Sequence, residues 1–223
     1  RTHEKKGELF EVHLFYKDGA KYMDVTCKSV EPLVRHGKYI TYDPSGKKIA
    51  EGNYVDDRLD GRCAEYFSLS GKPKRVAKYE NGLLNGPITK FDSLSGNLIM
   101  KCNAINDKLD GKKTIFDAVT GVKKEEGFYV NGILLGPYAT FDSISGAKKE
   151  SGYYNGSDKE GEWLYYYKNA NRVKGAGYYR SGYLNGYFAS FFFSGNLRFE
   201  VLFKGSRPVG RWNFYYDKPG VLN

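Results

Sequence analysis

Aromatic, glycine and polar positions return along this chain on one fixed beat. Residues 129–141 read YVNGILLGPYATF, and close variants stand at 79–91 (YENGLLNGPITKF), 154–166 (YNGSDKEGEWLYY) and 179–191 (YRSGYLNGYFASF). A marker glycine falls at Gly37, Gly61, Gly86, Gly111, Gly136, Gly161, Gly186 and Gly210, spaced by 24 or 25 residues. A constant period in this range is the signature of a repeat architecture. Five residues after each marker comes a ring: Tyr42, Tyr66, Phe91, Phe116, Phe141, Tyr166, Phe191, Tyr215. Nine or ten residues after it comes Gly46, Gly71, Gly96, Gly121, Gly146, Asn171, Gly195 or Gly220. Asn171 is expected to share the left-handed backbone of the glycines it replaces.

Each repeat therefore reads as two strands of about six residues and a tight turn. Asn81-Gly82, Asn131-Gly132, Asn155-Gly156, Ser181-Gly182 and Lys204-Gly205 mark the turn to the next repeat. Asn-Gly is the strongest short-range hairpin signal, and short connections enforce antiparallel neighbours. An apolar residue usually stands two before the marker (Leu59, Leu84, Leu109, Leu134, Leu184), with Lys159 as the departure. Rings two and five after a marker have opposite parity, so both sheet faces are expected to be partly covered. The expected fold is all-β: an elongated, twisted, single-layer antiparallel meander of about eight hairpin repeats. Residues 37–223 form the array, and 1–36 a degenerate capping unit with a frayed start at Arg1 to Gly7.

Composition sharpens this. Tyr (20), Phe (14) and Gly (27) are the outliers in 223 residues, and they favour short strands and turns over helix. Three widely spaced cysteines, Cys27, Cys63 and Cys102, read as free buried thiols. No apolar run approaches the length of a membrane-spanning helix. A chain opening at Arg1 fits trimming or removal of a signal peptide equally well. The net charge of +9 is spread along the chain.

The pattern YxNGxxxGxxxxFxxxSG, carried by Tyr129, Asn131, Gly132, Gly136, Phe141 and Gly146 and their equivalents, resembles the MORN repeat in its longer, antitoxin-like bacterial variant. The resemblance covers residues 37–223 and implies a β-meander used as a scaffold or docking surface. The shorter MORN unit has Gly-x-Gly where this chain has Gly136-Pro-Tyr or Gly161-Glu-Trp, so the lipid binding proposed for some MORN proteins does not carry over through that motif.

No zinc, nucleophile or redox motif occurs, and His3, His13 and His36 all lie near the start. No cofactor, metal or catalytic residue is expected. Two candidate surfaces remain. A basic ladder follows the second turn, with Lys48, Lys74, Lys123, Lys124, Lys148, Lys149 and Lys174 as anion-binding candidates. A surplus of rings at Tyr165, Tyr167, Trp212, Tyr215 and Tyr216 supplies the protein-binding candidates, the last three on an edge strand that needs covering. The expected function is non-enzymatic protein–protein interaction or scaffolding, within a larger cell-envelope assembly. The alternative is peripheral binding to an anionic membrane or polymer through the ladder. No specific nucleic acid is expected. The location leans to the bacterial periplasm or outer membrane, with the cytoplasm as alternative.

Overall fold

The computed structural model describes residues 1–217. It is all-β, with twenty strands and, among the described residues, no helix. Gly220 and the last six residues of the array lie outside the described residues. The chain divides into two compact units, Arg1–Leu109 and Asp110–Asn223, each an open meander of antiparallel hairpins. The first holds β1 (Thr2–Lys6), β2 (Leu9–Phe15), β3 (Lys21–Val30), β4 (Leu33–Tyr42), β5 (Lys48–Val55), β6 (Arg58–Leu59), β7 (Gly61–Tyr66), β8 (Pro73–Glu80), β9 (Leu83–Phe91), β10 (Leu98–Ile105) and β11 (Lys108–Leu109). The second holds β12 (Gly111–Phe116), β13 (Lys123–Val130), β14 (Ile133–Phe141), β15 (Lys148–Asn155), β16 (Asp158–Tyr166), β17 (Val173–Arg180), β18 (Tyr183–Phe191), β19 (Leu197–Lys204) and β20 (Arg207–Phe214).

The start of the chain differs from expectation. Thr2–Lys6 is not frayed but pairs along its length with β2. The histidines are in ordinary ionic contacts: His13 Nδ1 lies 2.6 Å from Asp24 and His36 Nδ1 lies 3.2 Å from Asp56.

Turn chemistry explains the hairpins. Asn81–Gly82 (φ 52° and 87°) and Asn131–Gly132 (φ 51° and 85°) put both central residues at positive φ, which matches the strand twist. Asp56–Asp57 and Asn106–Asp107 do the same without glycine, using the tolerance of short polar side chains for this region. The left-handed residue of the 167–172 loop is Asn169 (φ 56°), not Asn171. There Ala170 N–H closes onto Tyr167 O, three residues back, whereas Gly146 N–H closes onto Asp142 O, four back.

Cross-strand partners share a face, so the register assigns the two faces of each unit. One is a packed face of alternating large and small side chains. In the second unit Gly127 pairs with Tyr138, Tyr138 with Gly152, Trp163 with Gly177 and Gly177 with Phe188. The rings lie over the glycines and against one another, with centroids 5.0 Å apart for Tyr138–Tyr154 and 5.1 Å for Tyr154–Trp163. Trp163 is fully buried, and its Nε1–H donates to Tyr153 O at 3.1 Å. In the first unit the same row runs Tyr39, Gly52, Cys63, Ala77, Ile88, Cys102. There the glycine partners give way to Ala and Cys around Ile88, and the volume balance is kept. All three cysteines are buried free thiols on this face.

Lys159 stands where other repeats have Leu. Its stem crosses Trp163, with Nζ 3.6 Å from the ring centroid and 2.9 Å from Glu150 Oε2. The cation is satisfied by an aromatic face and one carboxylate, which lets it replace an aliphatic side chain.

A Cβ on Gly152 would come within 2.4 Å of the Trp163 indole, where nothing flexible can yield. Gly152→Ala should therefore cost about 1–3 kcal/mol, read as a lower urea midpoint at unchanged slope. A wild-type midpoint would contradict the ring-on-glycine packing.

Candidate functional site

The second face of each unit carries the ring five residues after the marker and the inner half of the basic ladder. In nearly every hairpin the pairing slips by one residue just before the second turn. Thr140 pairs with Glu150 but Phe141 with Lys148, which leaves Lys149 as the extra residue of a β-bulge. Lys74, Lys124 and Lys174 are the extra residues of the equivalent bulges. The bulge divides the ladder in two. Lys48, Lys123 and Lys148 lie within the pairing and reach over the ring of the next repeat, 4.5 Å from the centroid of Tyr66, 4.1 Å from Phe141 and 5.8 Å from Tyr166. Lys48 also pairs with Glu51 (3.0 Å) and Lys123 with Glu126 (2.9 Å). Of the outer set, Lys74 lies 3.9 Å from Glu65 and Lys124 3.7 Å from Asp117. Lys149 and Lys174 are exposed and form no ion pair with another described residue. A bulge residue is unpaired and splays from the ladder, which places this outer set at the hairpin-tip edge.

The protein-binding candidates also separate. Tyr165 is half-buried on the packed face, its hydroxyl 2.7 Å from that of Tyr179, and burial pushes its pKa up. Tyr167 donates to Phe191 O at 2.7 Å and meets Phe193 edge-on. Tyr215 donates to Glu200 at 3.0 Å. Tyr165 and Tyr167 are engaged within the sheet, whereas Tyr215, just beyond β20, keeps an exposed ring. Trp212 is exposed on β20, where it lies against Phe199 and stacks on Phe214, and Tyr216 is exposed just beyond that strand.

A surface that went unnoticed in the sequence lies at the hairpin tips. The third residue of the turn is aliphatic in four repeats, and all four side chains stand in solvent: Leu69 (93 %), Leu94 (90 %), Val119 (84 %) and Ile144 (82 %). Single exposed aliphatics are ordinary; the same position exposed in successive repeats is not scatter. Three of the tips are fixed by an aspartate. Asp142 Oδ1 accepts from Ile144 N–H (3.1 Å) and Ser145 N–H (2.8 Å), Asp117 does the same for Val119 and Thr120, and Asp92 for Leu94 and Ser95. Neighbouring tips are tied together: Thr120 Oγ1–H donates to Ser143 O at 2.6 Å, and Ser145 lies 3.2 Å from Asn169 Oδ1. In the first unit Ser68 donates to Asp43. Each unit thus presents two aliphatic side chains at its hairpin tips, and bulge lysines stand behind three of the four, Lys74, Lys124 and Lys149, while Ile99 is the extra residue behind Leu94.

Among the described residues no group of His, Cys, Asp or Glu is arranged to hold a metal ion, and no helix is long and apolar enough to cross a membrane. No protein-family model matches the chain, and no curated protein matches it.

Hydrogen bonds from backbone N–H groups, those of Ser145 and Thr120 foremost, hold the Asp142 and Asp117 carboxyls below the ordinary carboxylate value. A folded value lowered in this way stabilises the tips above the unfolded pKa, and that contribution is lost as pH falls through the folded value. The amide shifts of Val119, Thr120, Ile144 and Ser145 should hold steady from neutral pH down to about 5 and move together below about 4. Movement confined to pH above 6 would contradict the clamp.

Proposed function

We propose that the chain is a non-enzymatic attachment module of MORN-like hairpins that docks on an anionic bilayer through its hairpin tips. The observation that carries this is the set of solvent-standing aliphatic side chains at the tips, above all Val119 and Ile144, which stand on aspartate-clamped turns with Lys124 and Lys149 behind them. A rigid tip loses no loop entropy on insertion. Each aliphatic side chain leaving water contributes about 1.5–3 kcal/mol, and each lysine near an anionic surface about 1 kcal/mol. One tip alone is marginal. A second on the same rigid edge acts at high effective concentration and makes attachment stable. The ladder by itself supports less, because Lys48, Lys74, Lys123 and Lys124 already face carboxylates of the sheet.

Protein docking is the second reading, favoured by one feature. On β20 the rings of Trp212 and Phe214 are exposed on a strand paired only with β19 among the described residues. Trp and Tyr dominate binding energy at protein interfaces, and an exposed strand edge invites pairing.

Co-sedimentation with phosphatidylcholine vesicles, with and without phosphatidylglycerol, separates the two. Binding is expected only with the anionic lipid. Val119→Ser with Ile144→Ser should weaken it roughly tenfold or more, and Lys124→Gln, Lys149→Gln and Lys174→Gln together should remove its salt dependence. Unchanged vesicle binding in the tip variant would sink the membrane reading. Loss of a co-purifying protein on Trp212→Ala with Tyr216→Ala, in a chain that ignores vesicles, would put protein docking in its place.

A further inference from the structure

The second unit carries a groove on the face opposite its packed rings, reaching at one end the turn that holds Phe193, Ser194 and Gly195. Its floor is small: Ala139 pairs with Ser151, Ser151 with Leu164 and Leu164 with Ala176. Two hollows of about 360 and 510 Å³ adjoin at Glu162 and Leu164 and together run across the strands. Phe128 lines the first hollow, and the register row to which it belongs carries further rings across the unit beside the groove. Lys112 pairs with Phe128, Pro137 with Tyr153, Glu162 with Tyr178, and Tyr187 with Leu202. The rings of Phe128, Tyr153, Tyr178 and Tyr187 are 41–63 % exposed.

These rings are not needed to build the sheet. In the first unit the same register is Lys38–Asn53, Arg62–Lys78 and Pro87–Asn103. Asn53, Lys78 and Asn103 stand where the second unit has Phe128, Tyr153 and Tyr178, in strands of the same length and pairing. The second unit thus holds an exposed aromatic row that the fold alone does not explain.

Phe128, Tyr153 and Tyr178 lie on alternate strands, so the platforms repeat every ~9.5 Å. A ligand matching several of them is itself periodic, with a repeat about the length of an extended disaccharide. The apolar faces of sugar rings stack on aromatic side chains, and their hydroxyls require polar partners between the platforms. The groove supplies these in Ser151, Glu126 and Glu162. The charge of the lining selects further. Lys112, Lys148 and Arg172 face Glu126 and Glu162, and Glu126 is already held by Lys112 and Lys123 at 2.8 and 2.9 Å. Glu162 has no ion pair among the described residues and accepts from hydroxyls, which a polysaccharide carries on every ring and the backbone of single-stranded DNA does not. We propose that this groove binds a linear acidic polysaccharide, with Phe128, Tyr153 and Tyr178 as stacking platforms and Lys112, Lys148 and Arg172 meeting its carboxylates.

The test is affinity electrophoresis of the whole chain through gels containing polygalacturonate, neutral hydroxyethylcellulose, poly-L-glutamate or oligo-dT. Retardation is expected in polygalacturonate and to a lesser degree in the neutral polymer, and not in the other two. Tyr153→Asn with Tyr178→Asn, which installs the residue the first unit carries at Asn53, should weaken retention roughly tenfold or more. The paired change to Phe should keep it. The paired Asn variant should still sediment with anionic vesicles, so failure here is distinct from failure of the tip reading. The proposal is overturned by no retardation in polygalacturonate, by equal retardation in the neutral polymer, in poly-L-glutamate or in oligo-dT, or by full retention in the paired Asn variant.

Discussion

A ring lying flat on a glycine backbone is the contact on which the rest of this structure depends. Tyr138 lies against Gly127, Trp163 against Gly152 and Phe188 against Gly177, each so close that a Cβ on the glycine would crowd the ring. The contact also sets register. A slip of one residue would place Ser151 or Tyr153 beneath the Trp163 indole and turn every side chain to the opposite face. With register fixed, the rings of the packed face, the thiols of the first unit and the substitution of Lys159 for leucine all follow from volume and from satisfying one half-buried cation.

The β-bulge is the second constraint, because it decides which lysines serve the fold and which face outward. Within the pairing, Lys48, Lys123 and Lys148 roof the ring of the following repeat. One residue later, Lys124, Lys149 and Lys174 are pushed out of the ladder beside the hairpin tips. A single column in the sequence is therefore two columns in space. The outer one gains its meaning from the aliphatic tips it backs, and the groove on the same face of the second unit draws on Lys148 from the inner one.

The period, the Asn-Gly turns, the all-β meander and the free cysteines were legible in the sequence because each rests on local chemistry. The Asn106–Asp107 turn was not, since it lacks the glycine that usually marks such a turn. Asn171 aligned with the turn glycines, yet the loop closes earlier and Asn169 takes the left-handed position. The bulge leaves no composition signal, being only a shift between partners, so the ladder could not be divided in advance. Tyr165 and Tyr167 looked surplus because their partners, Tyr179 and the carbonyl of Phe191, lie in neighbouring repeats. Two signals stood in plain view. A small residue recurs fifteen or sixteen positions after the marker (Gly52, Ala77, Cys102, Gly127, Gly152, Gly177), and an aliphatic one recurs within the turn at Leu69, Leu94, Val119 and Ile144. Neither is unusual singly; each becomes informative only when stacked on its neighbours.

The account stands most directly on how the hairpin tips meet a bilayer, and depth-resolved fluorescence quenching measures that. Cys27, Cys63 and Cys102 are buried, so an environment-sensitive dye on Ile144→Cys or on Ser157→Cys, at the opposite strand end, reports one position at a time. On phosphatidylglycerol vesicles carrying brominated acyl chains, the dye at 144 should be quenched strongly and the dye at 157 should behave as it does in buffer. Equal quenching at the two sites, or quenching at 157 alone, would contradict the account.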